Sequence, residues 1–522
     1  MTVKVILPII NDNLEILWYE DSELNHFNNL TELFENNDDD TLFFFFYYNL
    51  VYQNLEKWAF NNGLEYKYGE KTIYYTGAPK DDFIAPLIKV ASLQSDPDIG
   101  KTRVRYRGRK FSLYDIKKFV RGIADFNIDE NDLVQAQNYM YYFRDAVVPL
   151  CGKHIVFPNS IASASRNILP DPFNLDNRED MTELFKLTTS SRLGGLYYLK
   201  ERGKTYDVLY DYDTRSLYPY LLLSKLYPSL NKKPFHLSGF EPVKEGQELA
   251  FYHITNIRIK RKPTGIPSLW MQKEVKTKMR QYGIVTNNNI ECYNIPEFEG
   301  WITSIDYKII HRFYDVKILD IDQTIIYTEL VPGKKYFSSL NKFYIKKDKA
   351  TGAIRTLYKV IIDSYSGSLA MGSTMSKRMR TLDDTGYDFF TMGTSEPPKD
   401  IYAFMTAYGR EFISDLADKA GYKNVISIDT DGIFTKNRIL DKYCGEGIGS
   451  LRLDKIMYNA KWFGQKQYEY QDENKNWVPT IAGLPSYLYE HGKFDYEIPK
   501  IIFDKKTASY KKVQTIFNLE RN

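Results

Sequence analysis

The sequence predicts a multidomain protein of α/β and α+β class, and three observations lead to this prediction. At 522 residues the chain is too long for one hydrophobic core, so it should divide into about two to four structural units. Its 43% hydrophobic and 26% charged residues are typical of a globular protein. Strand-like and helix-like patterns alternate along the chain, and they define the elements that follow.

The first 150 residues predict an α/β domain. Apolar runs and their spacing predict strands at Val3–Ile10, Leu14–Tyr19 and Leu42–Tyr48, and helices at Leu30–Phe34, Leu55–Phe60, Leu113–Ala124 and Asp129–Val148. The run at Leu42–Tyr48 is intensely apolar but far too short to span a bilayer, so it is interpreted as a buried strand.

A polar connector around residues 158–180 separates this domain from the remainder of the chain. Pro and Gly residues interrupt the pattern from residue 232 to about 340, which predicts mostly strands and loops there. The other elements expected after the connector are a strand at Val208–Asp213, an apolar helix through Leu226, helices at Gly352–Ser364 and Ile401–Ala420, and a strand at Val425–Ile428.

Composition excludes some classes of protein but selects none. The net charge of +3 is too small to indicate by itself that the protein binds a polyanion. The 43 Tyr residues fit a nucleic-acid groove or a Tyr-rich core equally well. Cys151, Cys292 and Cys444 form no C-x-x-C pair, which argues against a zinc site or a disulfide framework and favours a reducing cytoplasm. The N-terminus lacks a signal-peptide pattern, and no membrane partner is expected.

Two acidic segments carry the candidate chemistry. Asp213 ends one predicted strand, and Asp429-Thr430-Asp431 follows another. Carboxylates, together with a backbone carbonyl such as that of Thr214, are the ligands that Mg²⁺ prefers. Three such groups suffice to hold two metals about 4 Å apart for in-line phosphoryl displacement. Either segment alone is more often a solvated acidic turn, and glycosyltransferases also use Asp-x-Asp.

Basic residues accompany these segments. Arg355 and Lys359 are four positions apart on one helical face and suit a triphosphate, although Lys359 would also form an ordinary salt bridge with Asp363. Lys466 and Tyr468 are two positions apart on a predicted strand, which would place them on one face to hold a phosphate and a sugar.

In this order the segments resemble family B DNA polymerases, specifically the protein-primed branch of phages and linear plasmids. Asp213–Pro219 matches the motif D-x-x-S-L-Y-P, and Gly352–Gly367 resembles the fingers helix with its K-x-x-x-N-S-x-Y-G pattern. Asp429-Thr430-Asp431 is the D-T-D motif, and Lys466-Gln467-Tyr468 matches K-x-Y. Arg192–Gly195 looks like the Y-x-G-G segment that links exonuclease and palm.

The resemblance implies a domain order. An exonuclease-like domain of ribonuclease H type is expected at residues 1–150, then a connector at 151–192 and a right-hand polymerase domain. Within the latter, the implied parts are palm at 193–235 and 401–470, an insertion contacting the priming protein at 236–340, fingers at 341–373, a second insertion for strand displacement at 374–400, and thumb at 471–522.

The resemblance also implies roles and partners. Asp213, Asp431 and the Thr214 carbonyl would bind two Mg²⁺ ions, for which Mn²⁺ can substitute, with Asp429 as the third catalytic carboxylate. Residues implied at the incoming nucleotide are Tyr218 under the deoxyribose and Lys346, Arg355, Lys359 and Asp363. Residues implied at DNA are Gly194, Gly195, Ser364, Gly367, Lys466 and Tyr468. The implied partners of this monomer are primer-template DNA, dNTPs and a terminal protein.

Several positions depart from the family pattern. The fingers helix has Asp363 where Asn is usual and Ser366 where Tyr is usual. Of the exonuclease motifs, Tyr141 through Asp145 fits Y-x-x-x-D, but the only near match to D-x-E is Asp21-Ser22-Glu23, expected just before a helix. One carboxylate cannot hold two metals, so we expect proofreading to be lost. Two alternatives stay open, a polymerase relic acting as a DNA-binding replication or defence factor, and an Asp-x-Asp nucleotide-sugar transferase.

Overall fold

The computed structural model divides into two compact units, each described here by itself. The first comprises Met1–Ile168, Lys346–Ile361 and Glu497–Ile516, and the second comprises Leu169–Ile345, Ile362–Tyr496 and Phe517–Asn522. The residues that the structure describes are 3–7, 16–20, 23–27, 30–37, 41–45, 65–68, 73–77, 91–96, 101–106, 109–115, 165, 184, 188–191, 194–263, 285–286, 289–290, 292–295, 300–369, 374–382, 386–395, 399–464, 466–482, 484, 488–504 and 509–519.

The first unit contains a nine-stranded mixed sheet. Its strands are β1 (Val3–Leu7), β2 (Ile16–Glu20), β3 (Glu23–Phe27), β4 (Thr41–Phe45), β5 (Glu65–Tyr68), β6 (Ile73–Gly77), β7 (Ala91–Asp96), β8 (Lys101–Tyr106) and β9 (Arg109–Asp115), in the order β3-β2-β1-β4-β9-β8-β7-β6-β5. Strand β4 pairs in parallel with β1 and with β9. Helix α1 (Leu30–Glu35) packs on the sheet, because the buried ring of Phe34 lies 5.0 Å from that of Phe111.

The predicted strands β1, β2 and β4 and helix α1 are confirmed with slightly shifted bounds. The helix expected at Leu113–Ala124 is wrong at its start, because Leu113–Asp115 belong to β9. Strand β9 is flanked by β4 and β8, and both Leu113 and Tyr114 are buried, so consecutive apolar residues imitate a helical stripe. Glu23 begins a strand and does not directly precede a helix. The helices expected at residues 55–60 and 129–148 lie outside the described residues.

The rest of the chain contributes twenty further strands and five helices among the described residues. The strands are β10 (Tyr197–Leu199), β11 (Thr205–Thr214), β12 (Leu226–Pro228), β13 (Phe235–Ser238), β14 (Leu249–Arg261), β15 (Val285–Thr286), β16 (Asn289–Ile290), β17 (Cys292–Ile295), β18 (Gly300–Thr303), β19 (Tyr314–Tyr327), β20 (Leu330–Pro332), β21 (Thr374–Leu382), β22 (Gly386–Ser395), β23 (Val425–Asp429), β24 (Gly432–Thr435), β25 (Leu451–Gly464), β26 (Gln467–Gln471), β27 (Trp477–Ile481), β28 (Asp495–Asp504) and β29 (Ser509–Asn518). The helices are α2 (Leu217–Ser224), α3 (Ser304–Phe313), α4 (Gly333–Lys349), α5 (Gly352–Ser368) and α6 (Lys399–Ala420).

A seven-stranded antiparallel sheet forms the centre of the second unit, in the order β10-β23-β24-β11-β25-β26-β27. Helix α6 covers one face, where Ile413 and Leu416 pack in one cluster with Tyr212 and Ile433. A second cluster of buried residues packs around Phe434, and its members are Leu199, Tyr206, Leu209, Ile426, Met457, Ala460, Trp462, Tyr468 and Tyr470. Apolar packing on both faces makes this sheet a rigid support for residues at its strand ends.

A separate five-stranded sheet and several two-stranded pairs complete the fold. The five-stranded sheet has the order β13-β19-β14-β17, with β18 also paired to β14. The two-stranded pairs are β12–β20, β15–β16, β21–β22 and β28–β29. The expectation of mostly strands and loops up to residue 340 is wrong for α3 and for the start of α4. The cue for α3 is its N-cap, where the Thr303 hydroxyl accepts the Asp306 N–H at 3.1 Å.

Within the described residues, no helix is long and apolar enough to cross a membrane.

A buried ion pair joins α3 to α6. Arg410 and Asp306 are 0% and 3% exposed, and the guanidinium donates two 2.8 Å hydrogen bonds to the carboxylate. The Thr303 hydroxyl donates a third, at 2.8 Å. Arg410 also donates to the Gly194 carbonyl at 2.6 Å, just before β10. Because its donors and acceptors are satisfied, the pair fixes two helices and the start of a strand in one arrangement.

We expect Arg410→Met to destabilise the protein strongly, because Asp306 would remain buried without its cation. Breaking such a pair costs about 3–5 kcal/mol. The matched control is Arg312→Met, since Arg312 also joins α3 to α6 but pairs with Asp415 and Asp418 at the surface, where a pair contributes about 1 kcal/mol or less. Thermal unfolding of both variants tests this, and equal melting temperatures would contradict it.

Candidate active site

The two acidic residues of the second predicted segment lie at the tip of the β23–β24 hairpin. Asp429 is the last residue of β23 and is the register partner of Gly432, so Thr430 and Asp431 form the turn. Thr430 has φ 60°, and the Asp431 N–H donates to the Asp429 carbonyl at 2.7 Å. This bond pattern is that of a γ-turn. A β-branched residue rarely adopts a positive φ, so the turn is strained.

The neighbouring strand supports this turn. The Thr430 N–H donates to the Leu196 carbonyl at 2.9 Å. Gly195 lies directly against the Thr430 side chain, because a Cβ added to Gly195 would be only 2.5 Å from Thr430 Cγ2. The Gly194 carbonyl accepts the Arg410 bond described above. Gly194 and Gly195, which the resemblance implied at DNA, therefore also have a structural role beneath the acidic turn.

The first acidic segment lies beside the second. Asp213 of β11 is the register partner of Gly432. One residue further, the Thr214 N–H donates to the Asp431 carbonyl at 2.9 Å. The structure therefore brings together two segments that are more than two hundred residues apart in the sequence. Strand β24 pairs with β11, so the tip of the β23–β24 hairpin lies beside Asp213 on one rigid sheet.

The carboxylates act on one another electrostatically. Burial raises the pKa of Asp431 to about 7, with further contributions from the charges of Asp213, Asp429 and Asp363. Asp363 comes from α5, so the departure from the family pattern adds a fourth acidic group near Asp431. Mutual repulsion of this kind is relieved by a divalent cation.

Two of these carboxylates also pair with cations. Asp213 Oδ2 lies 3.2 Å from Arg452 Nη2, and Asp429 Oδ1 lies 3.2 Å from Lys466 Nζ. In this side-chain arrangement, no three Asp, Glu, His or Cys residues in the described part of the chain are grouped so that they could hold a metal ion. The donors nevertheless fit Mg²⁺ in kind, since they are hard oxygens in close repulsion. The buried Thr214 hydroxyl beside them has no hydrogen-bond partner among the described residues.

Tyr218 lies beside the acidic turn. It is in the first turn of α2, after Ser216, whose φ of 52° is left-handed. Its ring packs on α6, because a Cβ added to Gly409 would be 3.3 Å from Tyr218 Cε1. Burial raises the pKa of Tyr218 well above its usual range, and Asp431 is among the charges that add to this.

The geometry predicted for Lys466 and Tyr468 is wrong. Lys466 precedes β26 in a turn with φ 56°, and its Nζ faces Asp429 and the Tyr197 ring. Tyr468 is buried, and its ring stacks on Trp462 with centroids 5.0 Å apart. The two side chains therefore do not share a strand face, because the positive φ reorients the lysine before the strand begins.

Sequence reasoning missed a buried pair next to the site. Asp211 and Lys455 are register partners on β11 and β25, with Lys455 Nζ 3.2 Å from Asp211 Oδ2. Lys455 Nζ also lies 3.4 Å from the Tyr468 hydroxyl. Burial raises the pKa of Asp211 to about 7, against the opposing effect of Lys455. The available signal was the spacing of Asp211 and Asp213, which places both on one strand face.

For the remaining predicted site residues, the structure gives only their exposure and the unit to which they belong. Lys346, Arg355 and Lys359 are exposed and belong to the first unit, so their approach to a triphosphate stays a prediction. On α5, Ser364 is half-buried and Gly367 is exposed. Tyr141 and Asp145 lie outside the described residues.

Solved structures share this fold. Phi29 DNA polymerase complexed with primer-template DNA aligns with a TM-score of 0.70 and 15% identity, over 99% of this chain and 100% of that chain. The complex of the same polymerase with primer-template DNA and incoming nucleotide substrates gives a TM-score of 0.69 and 14% identity, over 99% of each chain. The fold is therefore that of phi29 DNA polymerase.

The sequence also matches a family model. The model for DNA polymerase type B, organellar and viral, matches residues 159–446, which is more than half of the chain. The chain belongs to this family, and the resemblance of its motifs to family B polymerases is confirmed.

Individual relatives share about a quarter of their residues with this chain over the matched part. The DNA polymerase of Streptococcus phage Cp-1 is 25% identical over 245 residues, which are 46% of this chain and 42% of that protein. The DNA polymerase of Bacillus phage phi29 is 23% identical over 286 residues, which are 53% of this chain and 48% of that protein. The matched part thus spans about half the length of these curated relatives.

We expect Gly195→Ala to disturb the acidic turn, because the new methyl group would overlap the Thr430 side chain at 2.5 Å. Strain of this kind costs about 1–3 kcal/mol. Gly194→Ala is the matched control, since a Cβ there meets nothing within 4 Å. Thermal unfolding should show a lower melting temperature for Gly195→Ala alone. Equal melting temperatures for the two variants would show that Gly195 does not support Thr430.

Proposed function

We propose that the chain is a DNA-directed DNA polymerase that adds dNTPs to a primer by template-dependent phosphoryl transfer assisted by two divalent metals. The observation that carries this proposal is the juxtaposition of Asp213 with Asp429 and Asp431 through the 2.9 Å bond from the Thr214 N–H to Asp431. Membership of the type B family and the shared fold support the same reaction.

Asp213, Asp431 and the Thr214 carbonyl are the groups that would hold Mg²⁺, or Mn²⁺ in its place. The chemistry supplied by such ions when bound is charge neutralisation at the attacking and leaving oxygens. Lys466 orients Asp429 at 3.2 Å, and Arg452 orients Asp213 at the same distance. Each carboxylate is thereby held in place before substrate binds.

Other residues would recognise the substrates. The Tyr218 ring, held against Gly409 and close to Asp431, is suited to lie under the deoxyribose and to exclude a 2′-hydroxyl. Arg355 and Lys359, with Lys346, would neutralise the triphosphate. Asp363 is the further residue proposed at the incoming nucleotide, and its charge is also among those that raise the pKa of Asp431.

We further propose that this polymerase replicates a phage or linear-plasmid genome in a bacterial cytoplasm, starting from a hydroxyl of a terminal protein. The named relatives are phage polymerases. The five-stranded sheet between Phe235 and Tyr327 occupies the range proposed for contact with the priming protein. The β21–β22 hairpin occupies the range proposed for strand displacement.

Loss of proofreading belongs to the same proposal. Strand β1, which pairs in parallel with β4, reads Val3-Lys4-Val5-Ile6-Leu7 and carries no carboxylate. Two-metal phosphodiester hydrolysis needs several acidic ligands. The relic and the nucleotide-sugar transferase are disfavoured, since the chain keeps the acidic segments together and belongs to a polymerase family.

Asp431→Asn should reduce Mg²⁺-dependent dNTP incorporation on a primed template by about a thousandfold, because several kcal/mol of charge stabilisation would be lost. DNA binding in a gel shift should stay nearly unchanged. The control is Asp418→Asn, which removes a carboxylate that pairs with Arg312 at the surface and not with a residue of the acidic turn. Wild-type incorporation by Asp431→Asn would refute the assigned role, and an inert but folded wild type would support the relic.

Tyr218→Val should admit ribonucleotides, because the ring that closes the space under the sugar is removed. We expect the ratio of dNTP to NTP incorporation efficiencies to fall about tenfold or more. Tyr218→Phe is the matched control, since it keeps the ring and loses only the hydroxyl. Unchanged sugar discrimination in the valine variant, measured by single-nucleotide extension, would contradict this placement.

A further inference from the structure

Four neighbouring strands of the seven-stranded sheet carry lysines at the ends opposite the carboxylates. Lys200 follows β10, Lys423 precedes β23, Lys436 follows β24 and Lys204 precedes β11. We call these four residues the basic edge. The antiparallel pairing of β10, β23 and β24 brings Lys200, Lys423 and Lys436 together at one end of the sheet. Strand β11 extends beyond β24, because Tyr210 is already opposite Thr435, but Lys204 and Lys436 both reach the Tyr206 ring. Strand β23, which spans five residues or roughly 15 Å, separates the edge from Asp429.

The basic edge carries a surplus of positive charge. Of the four strongest charge interactions on Lys200, three come from Lys436, Lys204 and Lys423, and only Glu201 opposes them. Burial and then Lys436 lower the pKa of Lys200. Glu201 pairs with Lys204 at 2.6 Å and also interacts with Lys200 and Lys436, so one carboxylate faces three of the four cations. Like charges gathered by a fold cost stability, which a polyanion bound there would restore.

Other surface lysines of the second unit are arranged differently. Lys232, Lys244 and Lys308 each lie within 3.8 Å of a carboxylate, on Glu329, Glu248 and Glu245 respectively. Each of these three lysines therefore has a carboxylate of its own, whereas Lys200, Lys204 and Lys436 of the basic edge share Glu201.

Two tyrosine rings position three of the four lysines of the basic edge. Lys204 and Lys436 lie over the Tyr206 ring, with Nζ 5.7 Å and 5.8 Å from its centroid. Lys200 lies over Tyr422 at 5.3 Å and donates to the Lys423 carbonyl at 3.0 Å. Lys204, Lys423 and Lys436 remain exposed. Ammonium groups fixed over rings but open to solvent lose little freedom when they bind an anion.

We propose that the basic edge is a second binding site for the phosphate backbone of DNA, separate from the carboxylate end of the sheet. Neighbouring strands are about 4.8 Å apart, so the lysines at the ends of β10, β23 and β24 lie within the span of a few successive phosphates of a DNA strand. Lys204 is joined to them at the Tyr206 ring. The site binds DNA by charge, without base readout, and it does not depend on whether the chain incorporates nucleotides.

The test compares two triple variants of the full chain with equal charge change. Lys204→Gln/Lys423→Gln/Lys436→Gln removes the exposed part of the basic edge, and Lys232→Gln/Lys244→Gln/Lys308→Gln is the matched control. The probes are fluorescent 3′-blocked oligonucleotides, single-stranded (dT) and blunt duplex, long enough to reach from the acidic turn to the basic edge. Anisotropy gives the dissociation constant at a series of NaCl concentrations.

For the basic-edge variant we expect the plot of log affinity against log salt to be shallower by about 2, because three phosphate contacts contribute about 0.7 each on single strands. The control variant should keep the wild-type slope. If the slope changes with one of the two probes and not with the other, the responding probe identifies single-stranded or duplex DNA as the source of the phosphates. The melting temperature should not fall, since repulsion is removed.

An unchanged slope with both probes, or an equal change in the control variant, would overturn the proposal. Primer extension on a short primer-template, which cannot reach the basic edge, should stay at the wild-type rate in both variants. That readout separates failure of the basic edge from failure of the polymerase proposal, which Asp431→Asn tests.

Discussion

The hydrogen bond from the Thr214 N–H to the Asp431 carbonyl is the contact on which the site depends. It joins β11 to the tip of the β23–β24 hairpin, and it forces carboxylates to stand close together although they repel. Such a cluster persists only where several independent contacts hold the backbone beneath it in one conformation. Here the support is a strained turn at Thr430, a glycine that lets the strand approach it, and the buried Arg410–Asp306 pair behind that strand.

Cross-strand ion pairs set the electrostatics of the same sheet. Strand β25 places Arg452 opposite Asp213 and Lys455 opposite Asp211, on either side of a register shift, so each acid has one cation across the ladder. Opposite charges directly across a ladder stabilise the pairing and hold both side chains on a defined face. The pair at Asp211 is the more deeply buried, so breaking it would leave a carboxylate whose pKa burial already raises to about 7.

The sequence predicted the parts of the site that depend on local pattern. Asp213 and Asp429 could be placed because each ends an apolar strand, and the resemblance indicated that they would meet. Contacts that depend on register or on a single backbone angle could not be predicted. The pairing of Asp211 with Lys455 requires the β11–β25 register, and the position of Lys466 follows from a φ of 56°. In the fold, Leu113–Asp115 at the end of β9 were assigned to a helix, because consecutive buried residues remove the alternation that identifies a strand.

Helix α5 has Ser366 where the family usually has Tyr, and the neighbouring Tyr365 does not replace the missing ring. Tyr365 adjoins the position where the family has Tyr, but it is fully buried with its ring 6.1 Å from Phe337. Because its side chain packs against α4, it cannot serve as the missing surface ring. Ser366 donates to the Asp363 carbonyl at 2.9 Å, so its hydroxyl is bonded to its own helix. The Tyr218 ring, by contrast, projects from α2 and is packed against Gly409 of α6, so its position beside the acidic turn does not depend on α5.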